Sequence, residues 1–252
     1  MQQVQVGFSQ RVRLEWLERT AALVLAGCGR EEVQGALREF LKDRLSAGGT
    51  ARRGNREKAI TILLKIWVSP PDHLVSFRDD GLHLLRGVAR EHHLAIHWGM
   101  TIAVYPFVAR VAESIGRLVR LQDSVSLSQI QRRLREQLGE RETVARAARR
   151  VVRCFVDWGV LREASGRGIY RAAPCRRIKD ERLAAWLIEA TLIASGADAV
   201  PFWRLMCSPA VFPFSLETAA PGVVNANGRL SLYRQGLDED MVMLKTPTKT
   251  TR

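Results

Sequence analysis

With 252 residues, 46% of them hydrophobic and 26% charged, the chain has material for a sizeable core and too much of it for intrinsic disorder. Its 39 lysines and arginines against 26 aspartates and glutamates leave a formal charge of +13, which points to a polyanion, either nucleic acid or an anionic membrane surface. A membrane is the poorer fit: the longest apolar run, AITILLKIWV from Ala59, is too short to span a bilayer and carries Lys65, and the first residues lack the apolar core and cleavage site of a signal peptide.

Helical spacing begins at Arg11, with Leu14, Leu17, Ala21 and Val24 on one face and Ser9 as the expected N-cap. Gly27 and Gly29 break this helix, and a second is predicted from Arg30 to Leu45, burying Val33, Leu37, Phe40 and Leu41. A third, capped by Thr50, runs to about Trp67, where the SPPD at Ser69 stops it. It opens with Arg52, Arg53, Arg56 and Lys58, a cationic end that suits a phosphate backbone or merely solvent.

Further helices are predicted over 79–90, 93–104 and 107–120, with a break at Tyr105-Pro106. His93 and His97 stand four apart, a metal-ligand spacing, but without an HExxH pattern or a nearby cysteine they read as hydrogen-bonded core histidines, and no metal is expected. The four cysteines (Cys28, Cys154, Cys175, Cys207) form no CxxC pair and are expected to be small, mostly buried hydrophobes of a reducing compartment, so the expected location is cytoplasmic.

Ser126 with Gln129 makes a capping box, followed by the apolar stripe Leu127, Ile130, Leu134 and Leu138, with Arg132 on the outer side and Gly139 as the stop. The next helix buries Val144, Ala148, Val151 and Phe155 and carries Arg146, Arg149, Arg150 and Arg153 on its other face, with no acid expected among them to pair four residues away. VLREASGRGIYRAA then reads as a hairpin with Arg167 at its tip. Helix, turn, basic helix, hairpin is the order of a winged helix-turn-helix, in which the third helix enters the DNA major groove and the hairpin meets backbone or minor groove. Between Ser126 and Lys179 there are 14 basic residues against 5 acidic ones, a net +9 of the chain's +13. Arginine suits this role because its planar fork takes phosphate or guanine edges bidentately.

After Pro174 the pattern predicts a helix capped by Asp180, then a hairpin around RQGLDED, with a polar C-terminus. The expected fold class is therefore mostly α, with an N-terminal helical (helix-turn-helix-like) unit, a winged helix-turn-helix and a small α+β C-terminal region. The expected segments are 1–70, 71–175 and 176–252.

The stretches LEWLERTAALVLAGCGREEVQGAL and GTARRGNREKAITILLKIWV, together with the later winged-helix pattern, resemble the BrxA family of BREX phage-defence systems over roughly Arg11 to Ala173. That resemblance implies DNA binding, with contacts at Arg52, Arg53 and the basic helix at Arg146. No P-loop, dinucleotide-binding glycine motif or nucleophile elbow is present, and the acidic pairs at Asp79-Asp80 and Asp238-Glu239-Asp240 read as a helix start and a turn rather than a catalytic metal site. The sequence reading is thus a non-catalytic, cofactor-free binder of double-stranded DNA, working beside other proteins of a defence or mobile-element complex. The alternative is a protein-protein adaptor that uses the winged helix for docking.

Overall fold

The computed structural model describes residues 6–45, 54–164, 166–216, 220–236 and 239–245. Three helices, α1 (Leu14–Leu25), α2 (Arg30–Phe40) and α3 (Asn55–Trp67), pack together at the start of the chain. A 3-10 turn at Asp72–Leu74 runs into α4 (Val75–Gly87), and another at Arg90–His92 runs into α5 (His93–Val104), followed by α6 (Pro106–Val119). Next come β1 (Val125–Ser126), α7 (Leu127–Leu138), α8 (Glu142–Asp157), β2 (Leu161–Glu163) and β3 (Ile169–Ala172). The remainder holds β4 (Arg176–Arg177), α9 (Glu181–Ser195), β5 (Ala199–Pro201), α10 (Phe202–Met206), β6 (Phe214–Ser215), β7 (Leu230–Gln235) and β8 (Glu239–Leu244).

The fold is mostly helical, with a small α+β region at the C-terminal end. Several boundaries differ from the sequence reading. Ser9 does not cap α1, which starts after an extended Arg13; the residues before it lie against the core, where Phe8 and Val12 are buried. At α2 the helix stops at Phe40, five residues short of Leu45, and its entry is closed by Glu32 accepting from the Gly29 N–H at 2.6 Å. Helix α3 enters through Gly54; Thr50, the expected cap, lies outside the described residues. Asp79 and Asp80 sit within α4 rather than at its start, because the turn that follows Pro70-Pro71 already takes helical geometry at Asp72. Asp180 caps α9 as expected, accepting from Leu183 N at 2.8 Å.

One continuous apolar cluster joins residues of all three sequence segments, from Phe8 to Val242. Its axis is α5, buried from Leu94 to Val104. Gly99 is the recess that lets α9 approach: a Cβ there would stand 2.3 Å from the ring of Trp186. Trp186 stacks on Phe77 at 4.3 Å and donates its indole N–H to the Phe77 carbonyl at 3.1 Å. Across α5, Trp98 meets Phe155 at 4.5 Å, Trp158 at 6.2 Å and Phe214 at 5.9 Å, and donates to the Ala210 carbonyl at 3.0 Å. These tryptophans satisfy the rule that a buried indole finds an acceptor. Among the described residues no single helix is long and apolar enough to cross a membrane; α5 and α6 qualify only as a pair, bent by 118° at Tyr105-Pro106.

The two histidines of α5 meet Glu18 of α1, a partner 75 residues away from His93. His93 Nδ1 lies 3.2 Å from Glu18 Oε2, and His97 Nε2 lies 3.4 Å from Glu18 Oε1 without the alignment of a hydrogen bond. His97 is fully buried edge-on to Trp67, and burial pushes its pKa down, so the folded protein holds it neutral. Burial would raise the Glu18 carboxyl, but the adjacent imidazoles of His97 and His93 outweigh that and hold it at about 2. An unfolded chain takes up a proton on His97 that the folded one refuses, so stability falls as pH drops through about 6.5. Thermal melts between about pH 8 and pH 5 should show this decline, and His97→Phe should flatten it; parallel curves for the two proteins would contradict the assignment.

The C-terminal strands form an antiparallel sheet in the order β5-β8-β7, while β4 and β6 make a short parallel pair. This region is fastened to the helices by Glu189 of α9, a carboxylate with 2% side-chain exposure. Arg229 donates to both its oxygens at 2.7 and 2.8 Å, Asn227 donates at 2.5 Å, and Arg229 also pairs with Asp80 of α4. Burial alone would lower the Arg229 pKa, yet Glu189 and Asp80 raise it.

Candidate nucleic-acid interface

Helices α6, α7 and α8 with the sheet β1-β3-β2 form the winged helix-turn-helix. Its turn is built locally. Ser126 Oγ accepts from Gln129 N at 3.1 Å while Gln129 Oε1 accepts from Ser126 N at 2.8 Å, the reciprocal box anticipated from the sequence. Gly139, at φ 88°, takes the left-handed turn that ends α7 and that a residue with a Cβ would strain. The strand β1 pairs with β3 through Val125 and Tyr170, which ties the wing back to the start of α7.

On α8 the apolar and charged faces separate as expected. Val144, Ala148, Val151 and Phe155 are fully buried, Arg146, Arg149 and Arg153 are exposed, and Arg150 is half-buried. One detail corrects the sequence reading. An acid does stand four residues from Arg146: Glu142, in the first turn, reaches its guanidinium at 3.5 Å. Glu142 is 79% exposed, so water screens the pair and it contributes little. The second acid on this face, Asp157, lies four residues beyond Arg153 but accepts from Nε and Nη2 of Arg11. The chain before α1 is laid along the end of α8, with Val12 N on Cys154 Sγ at 3.2 Å and the Trp158 indole on the Val12 carbonyl at 2.9 Å. Hydrogen bonding to Asp157 raises the Arg11 pKa, and the effect is to neutralise a carboxylate that would otherwise oppose an incoming anion.

The wing carries Arg167 as expected and adds two cations that sequence reasoning passed over. Arg167 is exposed in the turn between β2 and β3, and behind it Arg162 and Arg171 are direct cross-strand partners, both exposed. Like charges facing each other across a ladder destabilise it unless an anion lies between them. Their positions on opposite strands, nine residues apart in a hairpin already predicted, were the available signal. Arg132 is exposed on α7, 3.7 Å from Glu136. Arg56 is not a free surface cation: it is half-buried and donates to the Lys42 carbonyl at 3.0 Å, holding the turn after α2. Arg52 and Arg53 lie outside the described residues.

Arg146 and Arg150 also turn toward a second basic element. They line a cleft of about 400 Å³ whose opposite wall is α3, with Lys58 and Lys65. The sequence separates these helices by some eighty residues, and no periodicity within either predicts that they share a recess.

The acidic pairs are tied up in structural contacts. Asp79 pairs with Arg78, Asp80 with Arg229 and Asp240 with Arg234, while Asp238 lies outside the described residues. Glu239 and Asp240 belong to β8 rather than to the turn. Among the described residues no three His, Cys, Asp or Glu side chains gather as a metal site. The cysteines are free; Cys154 is buried, its thiol pushed up to about 12 by that burial, and Cys28 is half-buried, but Cys175 and Cys207 are exposed, contrary to expectation, because they fall in the linker before β4 and just after α10. No protein-family model, curated protein or solved structure matches this chain.

Proposed function

We propose that the chain is a non-catalytic binder of double-stranded DNA, engaging the duplex with α8 and the wing. The observation that carries this reading is the exposed face of Arg146, Arg149 and Arg153 on the second helix of the helix-turn-helix, beside a wing that opposes Arg162 to Arg171 and ends in Arg167. Such a concentration of exposed guanidinium groups is stabilised by phosphate, and the two elements are those that meet groove and backbone in winged-helix complexes. The resemblance to the BrxA family supports the same partner, a cytoplasmic setting and work beside other proteins of a phage-defence or mobile-element system.

Titrating random duplex DNA across salt concentrations checks this. The log of the affinity should fall linearly with log salt, by about 0.9 per phosphate neutralised. Arg149→Ala with Arg153→Ala should reduce that slope by about 2 while leaving the melting temperature nearly unchanged. A wild-type protein that ignores duplex at low salt would leave the winged helix as a docking module for another protein. That second reading has one observation of its own: Trp203 is 59% exposed and Tyr233 40%, large aromatic surface on the C-terminal region.

A further inference from the structure

The cleft between α3 and α8 is built from two matching stripes. Lys58, Thr61, Ile62 and Lys65 on α3 follow the spacing i, i+3, i+4, i+7, and Thr143, Arg146, Ala147 and Arg150 on α8 repeat it. The two cations stand about 10 Å apart along the axis of α3 and about 6 Å apart along that of α8, each pair with a hydroxyl in the same stripe. No carboxylate lines the cleft, and among the described residues none lies within ion-pair distance of Lys58, Lys65 or Arg150. Four cations around one recess repel one another, and the span of about 10 Å between the two lysines of α3 is too long for a single phosphate to neutralise.

The other surfaces are held in place. The junction Tyr105-Pro106 between α5 and α6 contributes to the lining, and the Lys65 ammonium stands 4.9 Å from the Tyr105 ring centre. Residues Val6 to Ser9 complete it. Phe8 is buried with its ring edge-on to Tyr105 at 5.3 Å and its backbone at φ 73°, a left-handed conformation that phenylalanine adopts only where its surroundings over-determine it. The cleft's volume lies in the range of small-molecule sites. A rigid duplex meets a convex face such as that of Arg149 and Arg153 more readily than a recess backed by two helices.

We propose that this cleft binds a nucleotide-sized, multiply phosphorylated ligand, its phosphates held between Lys58 and Lys65 on one side and Arg146 and Arg150 on the other. The same chemistry is offered by a free nucleoside triphosphate and by the 5′-phosphorylated end of a nucleic-acid strand. The site shares Arg146 with the DNA-binding face, but its α3 wall does not belong to that face, and this separates the two readings experimentally.

The test is calorimetric titration of the full chain with ATP, with inorganic tripolyphosphate, and with one short oligonucleotide in 5′-phosphate and 5′-hydroxyl forms. Binding of ATP or tripolyphosphate identifies a free ligand; a preference of about tenfold or more for the 5′-phosphate identifies a strand end. In either case Lys58→Gln with Lys65→Gln should weaken binding by at least about tenfold. If the lysine pair impairs folding, Thr143→Glu places a carboxylate at the exposed rim of the cleft and should produce the same loss, while Lys58→Arg with Lys65→Arg should retain binding. Failure of every phosphorylated probe to bind, or indifference of binding to both cleft variants, overturns the proposal and leaves the duplex reading standing. A wild type that binds tripolyphosphate yet ignores duplex overturns the duplex reading alone.

Discussion

Arg229→Ala will lower the stability of the protein by about 3–5 kcal/mol, the loss expected when one partner of a buried ion pair is removed. The reason lies with the residue left behind. Glu189 has 2% side-chain exposure, and both of its oxygens depend on Arg229, with Asn227 as the remaining donor. Without the guanidinium, a carboxylate would be buried in the middle of α9 with a single neutral hydrogen bond. Asp80, 53% exposed, has water as an alternative, so Asp80→Ala should cost less than about 1 kcal/mol. Glu189→Leu with Arg229→Met should recover most of the loss, because an apolar pair needs no desolvation of charge. Urea unfolding of the four proteins checks the series. An Arg229→Ala protein within about 1 kcal/mol of wild type would mean that Glu189 finds other donors, such as water, in place of the guanidinium.

Phe155→Ala will be comparably costly, about 3–5 kcal/mol, and it separates the two faces of α8. The ring is fully buried, 4.5 Å from Trp98 and 5.8 Å from Trp158, so its removal opens a cavity where α8, α5 and the start of the wing meet. Arg149 and Arg153 are exposed and have no carboxylate within ion-pair distance among the described residues, so their replacement should change a melt by little and a DNA titration by much. Equal destabilisation by the arginine and phenylalanine variants would show that the arginines hold the fold together, and the proposed interface would lose its basis.

The parts of this fold that were legible beforehand are those whose cause is local. The capping box at Ser126, the glycine stop at Gly139, the opposed faces of α8 and the Tyr105-Pro106 break each depend on a few adjacent residues, and each stands where the spacing placed it. Helix starts were less legible where a turn precedes them, as with Asp72–Leu74 before α4. What could not be read are the contacts between residues far apart in sequence: Arg11 with Asp157 across 146 residues, Arg229 with Asp80 across 149, and Glu18 with His93 across 75. Periodicity shows which face of a helix is buried but carries no information about what covers it. For the same reason the arginines of α8 were visible as a basic face, whereas their sharing of a recess with the lysines of α3 was not.

The indole of Trp98 touches α8 through Phe155, the start of the wing through Trp158 and the C-terminal region through Phe214 and Ala210. A tilt of helix α8 would therefore disturb the packing of Phe155 on Trp98 and, through that indole, the wing and the C-terminal region. A macromolecule docking on the arginine face meets a template of fixed curvature, and any adjustment of fit falls on the partner. For a duplex, the energy of that adjustment depends on the flexibility of its base steps. Sequence preference would then be read as bendability at positions that no side chain reaches.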